Sequence, residues 1–384
     1  MSEQQKNALL PAGLRDVLPT DAAFEAEIVE RLVACFEARG YDRVKPPLIE
    51  FEEGLLSGAG IALAPQTFRL MDPGSQRMMG VRADITPQIA RIARSRLAGA
   101  PRPLRLSYAG DVLRVRGGQL QPERQIAQVG AELIGSAAPA ADAEIISMAV
   151  DALEALGIEG VSVDVTAPRL VPRIMSAHGI DDDRAERLRA LLDRKDSSGL
   201  NELAGDAAGL LTALLGATGP ADSALEALRA LDLPGDAANE RERIAEVVRL
   251  LRLAVPDIRI TLDPVEHRGF EYHTGVGFTI FARGVPTELA RGGRYRVANG
   301  DGNPDGERAT GVTLYVETVL GILPRPDRGR RLLVPAGTPP DLAAAMRAEG
   351  WTTVASLGEQ GDLDGEAERL ACSHVLRDGA PKPI

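Results

Sequence analysis

Cysteine is almost missing: Cys35 and Cys372 are the two in 384 residues. A disulfide framework and a cysteine-built zinc centre are therefore both excluded. No apolar run reaches the ~18 residues of a membrane span, and the N-terminal stretch has no apolar signal core, so no membrane partner is expected and a cytoplasmic location is. Positive charge is in deficit, with 44 Lys and Arg against 55 Asp and Glu, a net charge of −11. A main surface built to grip nucleic acid is usually basic, which leaves room here only for a local basic groove. There is no GxxxxGK[ST] phosphate loop and no GxGxxG after a strand. No serine–histidine–aspartate pattern is visible, and Cys35 falls on an amphipathic helix, where a core role outweighs a nucleophilic one.

What is present is ample apolar material, 44% of the chain, enough for a sizeable core. The length argues for two or three domains. Phe24, Ile28, Leu32 and Phe36 recur every four residues and predict a helix over 21–39, stopped by Gly40. Pro46 and Pro47 keep the next extended segment out of a sheet centre. Thr86-Pro87 predicts a second helix, with Thr86 as cap. Strands are expected over 104–108, 111–115, 127–134 and 161–165, with a helix over 141–156 between the last two. Residues 169–254 have helical spacing throughout, punctuated by glycine and proline, and predict four or five helices in an inserted subdomain. Strand character resumes at 257–262 and 277–281. The last stretch, 326–384, predicts a small α/β unit. The fold class expected is α+β, because 1–165 lack the regular alternation of a doubly wound sheet.

Four clusters carry candidate chemistry. The first is Arg82-Ala83-Asp84-Ile85-Thr86, at a helix start where free amides suit a polar ligand; a plain cap explains it as well. In the second, Arg114, Arg116 and Arg124 flank Gly117-Gly118, and Gln128 and Glu132, four apart, share one face of a strand. An amide and a carboxylate there could read one ligand, with the loop arginines facing an anion; a solvated basic hairpin is the alternative. The third, Glu266 to Gly275, holds His267 and His273 with Glu266 and Glu271. It lacks an HExxH spacing or a further histidine, so no metal is expected. The fourth, Arg291-Gly292-Gly293-Arg294-Tyr295, is either a close backbone approach to a ligand or a tight turn.

In order, RADIT, YAGDVLRVRGG with QIAQVGAELIG, EHRGFEYHTG and ARGGRY resemble the catalytic core of histidyl-tRNA synthetases, from about Leu10 to Leu323. The resemblance implies the class II aminoacyl-tRNA synthetase-like fold: an antiparallel sheet flanked by helices, with the helical insertion, usually self-associated as a dimer. It implies a core over 1–325 and a separate small C-terminal α/β domain over 326–384. The family's histidine-binding positions fall on Asp84 (usually Glu), Thr86, Arg114, Gln128, Glu132, Arg268, Tyr272 and His273 (usually Tyr). Asp84 and Glu132 would take an ammonium and a ring N–H, and the arginines a carboxylate.

The departures concern ATP. Arg116 stands where that family has glutamate, the basic loop that follows is replaced by Gly117 to Pro122, and Thr318 stands where an arginine meets the nucleotide phosphates. Losing one preorganised donor typically costs about 10²–10³ in rate, and losing several should abolish adenylate formation. The anticodon-binding domain is also shortened or replaced. This pattern is similar to the regulatory-subunit family of ATP phosphoribosyltransferase. That resemblance implies no catalysis and no cofactor, with assembly on the short-form catalytic subunit as a hetero-octamer. It also implies activation of that subunit in the first step of L-histidine biosynthesis, feedback inhibition with L-histidine as effector, and no tRNA. A divergent synthetase, or a histidine-sensing binding protein on the same core, are the alternatives.

Overall fold

A computed structural model describes residues 10–118, 122–266, 273–297, 306–325, 329–358 and 361–384. The chain divides into two units, one of Met1–Asp16 with Glu25–Leu323 and one of Val17–Phe24 with Pro324–Ile384.

The strands of the larger unit are, in chain order, β1 (Asp42–Arg43), β2 (Ile49–Phe51), β3 (Arg69–Met71), β4 (Met78–Val81), β5 (Leu104–Leu113), β6 (Gln125–Ile134), β7 (Val161–Thr166), β8 (Gly219–Pro220), β9 (Arg259–Asp263), β10 (Gly277–Ala282), β11 (Ala290–Val297) and β12 (Glu307–Tyr315). Nine of them form one sheet in the order β1-β5-β6-β12-β11-β10-β7-β9-β8, and β2-β4-β3 form a small second sheet. From β5 to β7 every neighbour pair is antiparallel. Among the described residues of this sheet, parallel pairing is confined to β1 with β5 and β7 with β9.

Helices cover both faces of the central strands. From Ile126 to Ile134, β6 is buried throughout, as expected of a strand packed on both sides. On one face, Pro139–Ala155 lies over the sheet, and Arg294 reaches from β11 to Asp142 on that helix. Its Nε sits 3.0 and 3.2 Å from the two carboxylate oxygens, and Thr310 of β12 donates to the same carboxylate at 2.7 Å. The remaining guanidinium nitrogens donate to the carbonyls of Ser136 and Ala138, both at 2.8 Å. A fully buried ion pair is tolerable only when its hydrogen bonds are satisfied in this way. On the other face lies Thr86–Ser95, whose Ile89 and Ala93, with Ile85 just before them, pack with Leu106, Tyr108 and Tyr295. Glu50 of β2 ties the small sheet to this helix, accepting from Gln88 at 2.8 Å and from Arg91 Nε at 2.7 Å.

Strand register sets one row across that second face: Leu106, Glu132, Gly311, Gly293, Gly277, Thr166, Asp263. Gly292 and Gly293 therefore lie inside β11, not in the tight turn that their pairing equally allowed.

Residues 170–254, all described, hold six α-helices and the short β8, which pairs with β9. The last of them, Gly235–Ala254, buries Ile244, Val247, Val248 and Leu251. In the smaller unit, β13 (Arg331–Val334), β14 (Thr352–Ala355), β15 (His374–Arg377) and β16 (Ala380–Pro383) form a sheet in the order β14-β13-β15-β16. The first three are mutually parallel, joined by helices at Pro340–Ala348 and Leu363–Arg369. Among the described residues no helix is long and apolar enough to cross a membrane.

Candidate functional site

The site forms where the Asp84 loop and the start of the Thr86–Ser95 helix meet the centre of the large sheet. Thr86 is the first helical residue and not the cap. Asp84 serves the free amide instead: its Oδ1 accepts from the Thr86 N–H at 2.9 Å. This leaves the Thr86 hydroxyl to face inward, 3.3 Å from the Tyr108 hydroxyl, which lies 2.8 Å from the Thr313 hydroxyl. The second Asp84 oxygen accepts from Gln128 Nε2 at 3.0 Å, and Gln128 Oε1 accepts from the Ile85 N–H at 3.3 Å. The loop is thereby locked to β6, yet a carboxylate has about four acceptor positions, so two remain for a ligand donor.

Glu132 lies further along β6 on the same face as Gln128. Its Oε2 accepts from the Tyr295 hydroxyl at 2.9 Å. The side chain lies flat across β12 because Gly311 is opposite: a Cβ there would sit 1.8 Å from Glu132 Oε2. Gly130 makes the same allowance for Tyr108, whose hydroxyl would be 2.3 Å from an added Cβ. Burial pushes the Glu132 carboxyl up to about 8; hydrogen bonds from Tyr295 and Thr86 oppose the rise, and the charge of Asp84 adds to it. His273 is buried and held neutral, its pKa lowered to about 3 by burial and by the nearby Arg291 charge. Thr86, Glu132, His273, Arg291 and Tyr295 line a cavity of about 10 Å³. That is room for a water molecule, so a ring-sized ligand enters only if these side chains move.

Of the residues expected from sequence, Asp84, Thr86, Gln128, Glu132 and His273 thus converge. Asp84 and Gln128 stand behind Thr86 and do not themselves line the cavity; nor does Arg114, whose Nε donates to the Ala83 carbonyl at 3.3 Å. Arg268 and Tyr272 lie outside the described residues, as do His267 and Glu271 of the same segment. Tyr108 and Thr313 were not anticipated. They enter only through register, since Tyr108 pairs with Gly130 and Gly130 with Thr313. Arg116 is exposed, while Thr318 is buried near the start of the Val316–Ile322 helix. Its neighbour Glu317 accepts from the Ala127 N–H at 2.7 Å, which fixes that helix against β6. Among the described residues no group of three or more His, Cys, Asp and Glu could hold a metal ion.

A family model described as histidyl-tRNA synthetase matches residues 13–319. A protein of Paramagnetospirillum magneticum named ATP phosphoribosyltransferase regulatory subunit is 57% identical over 376 residues, 98% of each chain. One of the same name from Rhodospirillum centenum is 56% identical over 377 residues, covering 98% of this chain and 96% of its own. A Bacillus halodurans structure, described as an ATP phosphoribosyltransferase regulatory subunit/histidyl-tRNA synthetase, superposes with a TM-score of 0.81 at 25% identity, over 94% of this chain and 96% of its own. Histidyl-tRNA synthetase of Nostoc, at 17% identity and a TM-score of 0.77, covers 97% of this chain and 92% of its own and shares the fold.

Proposed function

The chain belongs to the ATP phosphoribosyltransferase regulatory subunit family, on the class II synthetase-like fold, and from that premise we propose that it activates a separate short-form catalytic subunit in the first step of L-histidine biosynthesis. The observation that carries the reading is the end-to-end likeness, 57% identity over 98% of both chains, to a protein of that name. Arg116 and Thr318 support the absence of chemistry in this chain, because neither can do what a glutamate and an arginine would do for ATP. The catalytic subunit joins ATP to phosphoribosyl pyrophosphate, and the assembly we propose is a hetero-octamer containing dimers of this chain.

Histidine is the effector in this reading. Asp84 takes its ammonium, Glu132 a ring N–H, and Thr86, Gln128 and His273 complete the pocket; Arg114, Arg268 and Tyr272 join the set on the family's motif alone. Histidine must bind the less active state of the complex more tightly, and the coupling must then be equal in both directions: complex formation changes histidine affinity by the factor by which histidine changes complex affinity.

The test is the steady-state rate of a cognate short-form subunit with this protein titrated in. A saturable rise at fixed stoichiometry is expected, and histidine should then lower it. No rise and no complex would overturn the reading. Glu132→Ala should weaken both histidine binding and the feedback; if both are unchanged, the pocket is wrongly assigned. Because the Bacillus halodurans relative carries both names, histidine-dependent exchange of pyrophosphate into ATP is the matching control, expected to be nil.

A further inference from the structure

On the same face of the sheet, beyond β11, lies a larger cavity of about 510 Å³. Its floor is set by register. Asp164 of β7 pairs with Thr261 of β9 and Thr279 of β10, and Thr166 pairs with Asp263, so all five side chains project to one side. Glu266 and Phe281 add to the wall, and Arg291 borders both this cavity and the small one.

Two observations mark it as more than a gap. The carboxylates are held in place: Asp164 accepts from the Thr261 hydroxyl, and Asp263 Oδ1 accepts from the N–H groups of Val265 and Glu266 at 3.1 and 3.2 Å. The Thr166 hydroxyl, on a residue only 4% exposed, lines the cavity and has no hydrogen-bond partner. Buried hydroxyls are nearly always bonded, and one facing a cavity of this size is satisfied by what enters it.

We propose that this cavity binds a small organic cation, an ammonium or guanidinium on a short body, separately from the Glu132 pocket. Three carboxylates line it against one guanidinium, and that guanidinium is already paired with Glu288 at 2.8 Å. Ionised carboxylates only accept, so the ligand must donate; threonine hydroxyls can serve either way. Lys195, 3.7 Å from Asp263 and largely exposed, swings clear without cost to the core. The volume falls within the ~300–1,000 Å³ of small-molecule sites. Phe281 offers an aromatic wall of the kind that suits a cation or its apolar body.

The test is calorimetric titration of the full chain with agmatine, putrescine and tyramine, and with glutarate as an anion of comparable length. Saturable one-to-one binding of at least one amine, and none of glutarate, is expected. Asp164→Asn keeps the Thr261 hydrogen bond and should weaken the amine by about tenfold or more. Thr166→Val replaces an unbonded hydroxyl by a methyl group; it should weaken the amine while leaving the thermal midpoint unchanged or raised, which a purely structural threonine would not do. Glu132→Gln should retain amine binding. The proposal is overturned if no amine saturates, if neither floor variant moves the affinity, or if Glu132→Gln abolishes binding, which would put the ligand in the small cavity.

Discussion

Glutamine at position 132 should make the protein more stable at neutral pH, and less distinguishable from the parent in acid. The folded carboxyl has a pKa of about 8 against an ordinary 4.5, so between those values the folded chain keeps a proton that the unfolded chain has released. Stability falls with rising pH wherever the unfolded state holds fewer protons, so this group's contribution is intact below about 4.5, declines through neutrality and levels off above about 8. At about 1.4 kcal/mol per pH unit, the loss reaches about 3 kcal/mol by pH 7 and about 5 kcal/mol at the plateau. Glu132→Gln removes the titration but keeps an acceptor for Tyr295 and a donor toward Thr86. Urea unfolding of both proteins at half-unit steps from pH 5 to 9 reads the difference directly, and subtraction cancels every other titrating group. The gap should widen in favour of glutamine as pH rises. A constant gap would mean that Glu132 is ionised throughout, and would refute the claim that burial outweighs the Tyr295 and Thr86 hydrogen bonds.

His273 acts in the opposite direction: folded neutral with a pKa near 3 against an ordinary 6.5, it should cost stability as pH falls from about 6.5 toward 3, and its ring resonances should show no titration above pH 4 in the folded protein. Asp142→Ala leaves the Arg294 guanidinium buried without its carboxylate and should cost about 3–5 kcal/mol in chemical unfolding; a loss under about 1 kcal/mol would show that water replaces the partner. Gly311→Ala puts a methyl group where Glu132 Oε2 lies. It should cost about 1–3 kcal/mol and change histidine affinity in calorimetry, whereas an unaltered affinity would remove Glu132 from the pocket.

Much of this site can be read along the chain because local period carries it. Gln128 and Glu132 are four apart on a strand, so a shared face follows directly, and Thr86-Pro87 marks a helix start wherever it falls. The reading weakens where a residue's role depends on a distant one. Thr86 looks like a cap, but Asp84 two residues earlier takes the amide, and what the freed hydroxyl meets, Tyr108, is fixed by strand pairing. Gly292 and Gly293 carry no side chain and so no period, which is why a strand interior and a turn looked alike there. Arg294 reads as one more basic residue in a basic motif, and only the fold brings it to Asp142, 152 residues away.

The row Glu132, Gly311, Gly293, Gly277, Thr166, Asp263 has three consecutive glycines at its middle. With strands about 4.8 Å apart, they span roughly 14 Å of sheet without a Cβ, and Glu132 and His273 lie over Gly311 and Gly293 in its place. Cross-strand side-chain pairs, which elsewhere resist changes of twist, are missing along this stretch. Gly311 and Gly293 line the small cavity, while Thr166 and Asp263 at the far end of the row line the large one. A methyl group added at Gly311 or Gly293 would therefore evict a pocket side chain, so the glycines hold the small cavity's lining in place by what they leave out.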